Sequence, residues 1–280
     1  MLQSTFQLAR GVGPAGERRL WRAGVACWRD LEAAQPTLVG KRAPGLARAV
    51  EAAGLALQRG DLGRLARLLP ASEQWRLLGA FGDQAVYLDI ETGDDVWGRE
   101  AISAVGFCDR DGPRLLLAGR DLERFPALAK RWRLLVTFIG SSFDVPILRR
   151  AFPAWTPPPA HVDLRHVLAR LGYDGGLKRI EEELEDLALA RPAHLREIDG
   201  WAACGLYRRG RDGDRRALRL FAEYNLYDVV NLRTLAAYAY NALAAEEVAA
   251  APALAAHVAA LEVPRRGDVL YDVSKILLAL

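Results

Sequence analysis

Residues 85–139 space their apolar side chains as strands do, and helical patterns lie on both sides of them. This contrast limits the folds open to the chain. Residues 85–90 are strand-like. Residues 101–108 and 114–118 read as two more strands, and the polar Asp109-Arg110-Asp111-Gly112 between them has the composition of a hairpin turn. Residues 121–131 suit a helix, and 133–139 form a short apolar run of the kind buried on both faces. Residues 144–151 suit another helix, 153–159 a proline-rich loop and 161–164 a short strand. Helical patterns dominate the rest, broken near Arg191-Pro192 and over 209–214, with the alanine-rich 244–260 read as helix. The order predicts an α/β fold, a mixed sheet flanked by helices, behind a small all-α N-terminal region.

Residues 2–32 read as two helices around Arg10-Gly11-Val12-Gly13-Pro14. The glycines permit a tight turn, and Pro14 and Glu17 suit the start of the second helix. The stretch resembles a helix-hairpin-helix, whose turn offers backbone N–H groups to a phosphate without reading bases. That resemblance makes Gly11, Gly13 and Arg10 candidate nucleic-acid contacts; a plain helical hairpin is the alternative. Residues 36–45 look like a connector, and helical patterns follow over 46–69, interrupted at Gly60-Asp61.

At 280 residues, with 51% hydrophobic and 26% charged residues, the chain has the makeup of an ordinary soluble domain or two. It has no apolar run near the roughly 18–20 residues of a membrane span and no signal-peptide pattern at Met1–Arg10, so a cytoplasmic protein is expected. Three scattered cysteines, Cys27, Cys108 and Cys204, suggest neither a zinc ribbon nor a disulfide framework. The net charge of +3 is too small to announce a polyanion binder. Its distribution says more: before Gly82, Arg and Lys outnumber Asp and Glu by about two to one, while acids gather later, including Glu181-Glu182-Glu183.

Three segments carry the chemistry. In Tyr87-Leu88-Asp89-Ile90-Glu91-Thr92, Asp89 and Glu91 fall on one face of a strand. Two such carboxylates repel unless a cation sits between them, and oxygen ligands suit Mg²⁺ or Mn²⁺. In Gly140-Ser141-Ser142-Phe143-Asp144-Val145-Pro146, Asp144 stands at a strand-to-helix junction, as a ligand or as a helix cap. In Tyr224-Asn225-Leu226-Tyr227-Asp228, Tyr224 and Asp228 share a helix face.

In this order the three segments resemble the motifs of the DEDD exonucleases, a family with a ribonuclease-H-like fold; the resemblance covers about residues 83–245. The histidine subgroup has its histidine five residues before the last aspartate, where this chain has Glu223. The tyrosine subgroup has its tyrosine four before it, where this chain has Tyr224. The resemblance implies 3′→5′ exonuclease activity with two ions, Mg²⁺ or Mn²⁺, releasing nucleoside 5′-monophosphates. Asp89 would bridge the ions, Glu91 and Asp228 would hold the first, and Asp144 would act largely through water. Tyr224 would orient the attacking water and the phosphate. It also implies a nucleic-acid partner, single-stranded or frayed at its 3′ end, with Phe143 a candidate contact. A structure-specific endonuclease and an inactive nucleic-acid-binding scaffold are the rivals, and DNA or RNA is left open.

The expected division is 1–80 helical, 83–245 catalytic and 246–280 a helical extension. His161 and Asp163 read as a strand end with Asp163 capping the next helix, ahead of a second metal pair. Lys178, on an expected helix, reads as solvated by default with a place facing substrate phosphates as the alternative, and Arg208-Arg209-Gly210-Arg211 as a charged face that could line a nucleic-acid path.

Overall fold

The computed structural model describes residues 1–31, 43–93, 102–265 and 272–278. Helices α1 (Pro14–Arg22), α2 (Ala43–Gln58), α3 (Leu62–Leu68) and α4 (Leu78–Phe81) precede the sheet. Its strands are β1 (Ala85–Thr92), β2 (Ile102–Asp109), β3 (Gly112–Leu117), β4 (Leu134–Thr137) and β5 (Ala160–Asp163), in the order β3-β2-β1-β4-β5. β1, β2 and β3 pair antiparallel, whereas β4 pairs in parallel with β1 and β5 in parallel with β4. Between and after them come α5 (Phe125–Ala129), α6 (Asp144–Ala151), α7 (Leu164–Arg170), α8 (Leu177–Glu183), α9 (Ala193–Arg196), α10 (Gly200–Arg211), α11 (Arg215–Ala250) and α12 (Val273–Leu278). The fold is the mixed sheet flanked by helices that the sequence predicts.

Alternation along β1 sorts its side chains between two apolar layers. Val86, Leu88 and Ile90 pack with Phe125, Ile147 and Leu148 on one face. Tyr87 points to the other face, where Phe221, Val229 and Leu235 of α11 close the core. Asp89 and Glu91 follow Tyr87 in register and therefore face α11 too. β4 is buried throughout, as its Leu134-Leu135-Val136-Thr137 composition requires of a parallel strand between neighbours. Gly213, at φ +106, turns the chain between α10 and α11, and Asp214 caps α11 by accepting from Arg216 and Ala217 amides at 3.1 and 3.0 Å.

Two sequence expectations are corrected. Residues 2–4 form only a 3-10 turn, so the first helix of the expected hairpin is missing. The cause lies in Glu17, buried in α1. Its carboxylate accepts from the Phe6 and Gln7 amides and from the Thr5 hydroxyl, while the Trp21 and Trp28 indoles donate to the Ser4 and Thr5 carbonyls at 2.7 Å. Side chains thus take the backbone groups that a helix would pair internally. Buried Arg76 balances Glu17 through two hydrogen bonds of 3.1 and 2.8 Å. Arg10, Gly11 and Gly13 remain exposed on the turn, with Gly11 at φ +84. The second correction is at the alanine-rich stretch: α11 ends at Ala250, and Pro252, lacking an N–H, opens a 3-10 turn over Pro252–His257 instead.

Candidate active site

The carboxyl ends of β1 and β4 meet the middle of α11, and there the three motifs converge. Single ligand oxygens of Asp89, Glu91 and Asp228 lie within 4.8 Å of one another, although the residues come from a strand and from a helix far along the chain. Asp144, at the start of α6, lies outside that group of three. Its Oδ1 accepts from the Ile90 amide at 3.0 Å, which ties α6 to β1 between the two β1 carboxylates. Asp144 is thus a strap rather than the cap of its own helix.

The turn before Asp144 is organised by Asp163, whose carboxylate accepts from the Ile139 and Ser141 amides at 2.9 Å, from the Ser141 hydroxyl, and from the Arg165 amide at 3.1 Å at the head of α7. Ile139 is held at φ +64, a left-handed conformation that costs a β-branched residue about 1–3 kcal/mol. Gly140 is required next to it, because a Cβ there would stand 2.3 Å from the Thr137 hydroxyl. His161 contacts that same hydroxyl at 2.8 Å and is held neutral-leaning by burial, so the His161–Asp163 pair is structural, as expected.

Neighbouring side chains supply what the motifs leave out. Asn225 donates from Nδ2 to Asp89 at 2.8 Å and to Glu91 at 3.5 Å. Buried Arg191 pairs with Asp228 and grips Glu181 through two hydrogen bonds of 2.9 and 3.1 Å; Asn231 donates to Glu181 at 2.9 Å. Lys178 is drawn in rather than solvated: its ammonium donates to the Ile198 carbonyl and stands 5.0 Å from the centre of the Tyr224 ring, with the Arg191 guanidinium 5.3 Å from it. Glu223 points elsewhere, to His194 at 3.1 Å, so Tyr224 and not residue 223 faces the acids. Asp89, Glu91, Lys178, Arg191, Tyr224 and Asp228 line a cavity of about 370 Å³ with Phe138, Asp199 and Gly200.

Charge is in excess there. Burial and then the neighbouring acids raise Asp89 well above the usual carboxylate range, and the same causes push Glu91 up to about 8. Burial raises Asp144 to about 7 against the Ile90 hydrogen bond, and raises Asp228 in spite of Arg191. Burial, with Asp228 and Glu91 next, raises the Tyr224 phenol, which stays protonated. One arginine does not neutralise this set. An all-oxygen donor group in which burial and mutual repulsion disfavour the charged carboxylates fits a hard divalent cation that would take the place of their protons, and Asp89, Glu91 and Asp228 lie close enough together to hold one.

Sequence reasoning missed Asn225, Arg191 and Glu181. Asn225 was visible, three residues before Asp228 on one helix face. For Arg191 and Glu181 the local signal was thin: Glu181 looked like one of three equal acids, yet it alone of that run is buried.

Among known families, RNase_H_2 of the RNase_H superfamily matches residues 86–240, more than half of the chain and all three motifs. No curated protein and no solved structure matches it.

Proposed function

This chain belongs to the RNase H superfamily, and from that premise we propose that it is a divalent-metal-dependent 3′→5′ exonuclease acting on DNA or RNA. The observation that carries the reading is the approach of the Asp89, Glu91 and Asp228 oxygens to within 4.8 Å. Asp89, Glu91 and Asp228 would hold one Mg²⁺ or Mn²⁺, and Asp89 with Asp144 a second. Bound there, the ions would supply an acidified water and neutralise charge on the leaving 3′-oxygen.

The chain's own residues do the rest. Asn225 fixes the Asp89 carboxylate by hydrogen bonding, and Arg191, braced by Glu181, fixes Asp228. Tyr224, kept protonated by burial and then by the acids around it, offers a hydroxyl donor to a water or a phosphate oxygen. The Lys178 and Arg191 charges over its ring hold that phenol in place and favour an anion at the cavity. Gly11, Gly13 and Arg10 on the exposed N-terminal turn, and Phe143 beside Asp144, would contact nucleic acid outside the centre.

The test is a digestion of 5′-labelled single-stranded DNA and RNA, free or blocked at the 3′ end, with Mn²⁺ or EDTA. We expect stepwise shortening from free 3′ ends only, none in EDTA, and a loss of at least about 100-fold in rate for Asp89→Ala or Asp228→Asn, roughly 2.7 kcal/mol of barrier. Cleavage of a circular single strand would identify an endonuclease instead, and full activity in either variant would refute the site.

A further inference from the structure

Trp201 is 78% exposed, far more than the other large apolar side chains that face solvent among the described residues. A single exposed apolar residue needs no special reason, but the placement of this one is particular. It directly follows Asp199 and Gly200, which line the acidic cavity, and it sits in the first turn of α10.

The backbone beneath it is anchored twice. Lys178, the residue over the Tyr224 ring, donates to the Ile198 carbonyl, and Asp199 caps α10 by accepting from the Ala202 amide at 2.8 Å. The indole therefore stands free on a fixed base at the rim of the site. Phe143, 40% exposed, belongs to the turn that follows Phe138, another residue of the cavity wall. Farther along the same face of α10, two helical turns from Trp201, comes Arg208, with Arg209 and Arg211 beside it. An open aromatic face beside a phosphate-processing centre, on a helix ending in cations, matches an unpaired base followed by its backbone.

We propose that Trp201 is a stacking platform for an unpaired nucleobase at the strand end entering the cavity, which makes single-stranded nucleic acid the substrate class of the site. The inference rests on the nuclease reading above. A base inside a duplex is already stacked on its neighbours and gains little from the indole, so the platform favours frayed or single-stranded ends.

The experiment is fluorescence anisotropy with a 5′-fluorescein oligothymidylate, in Ca²⁺ to hold cleavage down, against the same oligonucleotide with abasic residues at its last two 3′ positions. Wild type, Trp201→Ala and Trp201→Phe are compared, with thermal unfolding and Mn²⁺ titration as controls that an exposed side chain leaves unmoved. We expect Trp201→Ala to weaken binding of the intact strand about tenfold, the loss of one stacked base, and to leave the abasic strand within about twofold, while Trp201→Phe retains most of the affinity. Equal binding of the intact strand by wild type and Trp201→Ala, or equal losses on both strands, overturns the platform while leaving the nuclease reading intact. A wild-type protein that neither binds nor cleaves any oligonucleotide overturns both.

Discussion

Gly106 stands directly across the β1–β2 ladder from Asp89, and the side chain of Asn225 occupies the space that a Cβ at Gly106 would fill, 1.8 Å from Asn225 Oδ1. The absence of a side chain on β2 is what lets α11 come close enough for Asn225 to reach the β1 acids. The close approach also accounts for Oδ1 being buried without an N–H or O–H partner.

Gly106→Ala should therefore act on the acidic centre from the far side of the ladder. Asn225 must swing away, at a cost of about 1–3 kcal/mol in stability, and Mn²⁺ should bind more weakly. The double variant Gly106→Ala/Asn225→Ala should regain stability, since the clash is gone, without regaining metal affinity. Denaturant unfolding and calorimetry read the two effects separately.

Arg191 holds two buried carboxylates, Glu181 and Asp228. Arg191→Met should cost about 3–5 kcal/mol, because both acids lose their cation while buried. Adding Glu181→Met should recover part of the loss. Mn²⁺ should raise the thermal midpoint more in Arg191→Met than in wild type, as the ion takes over the neutralisation of Asp228. Equal shifts would show that Arg191 carries no charge balance at the centre.

Metal-free protein should lose stability as pH rises. Glu91 at about 8 and Asp144 at about 7 keep protons that carboxylates of the unfolded chain release near about pH 4. The folded state binds more protons in that window, so the contribution of these groups is complete below about pH 4 and is lost as pH climbs through 7 and 8. In EDTA the thermal midpoint should fall by at least about 4 °C between pH 5 and pH 8. Mn²⁺ should restore it at pH 8 and do little at pH 5. A midpoint that rises over this range in EDTA would contradict the electrostatic account.

The sequence carried the sheet and the helix beside it well because periodicity and burial are local signals: 85–90 and 133–139 correspond to the strands β1 and β4, and 144–151 to the helix α6. The pairing of Asp89 with Glu91 on one face was equally local. In the N-terminal segment Pro14 and Glu17 do open α1 as the sequence predicts, and the departure is in the segment before it. Glu17 is also a buried acceptor for the backbone of that earlier segment, a role visible only once Arg76 is beside it. Arg191 was hidden for a similar reason: it meets Glu181 and Asp228 through tertiary packing, and next to Pro192 it read simply as a helix break. Gly106 carries no sequence mark of its importance, since only the neighbouring helix makes its missing Cβ matter.

Metal binding by carboxylates from separate motifs is the property on which the proposed activity depends. Calorimetric titration of Mn²⁺ into wild type, Asp89→Ala and Asp228→Asn at pH 7.5 measures it without reference to any substrate. We expect saturable binding to the wild type and a loss of at least about tenfold in affinity in each variant, while thermal unfolding in EDTA shows both to be folded. Wild-type protein that takes up no Mn²⁺, or variants that bind it as wild type does, would show that Asp89 and Asp228 do not form a metal site.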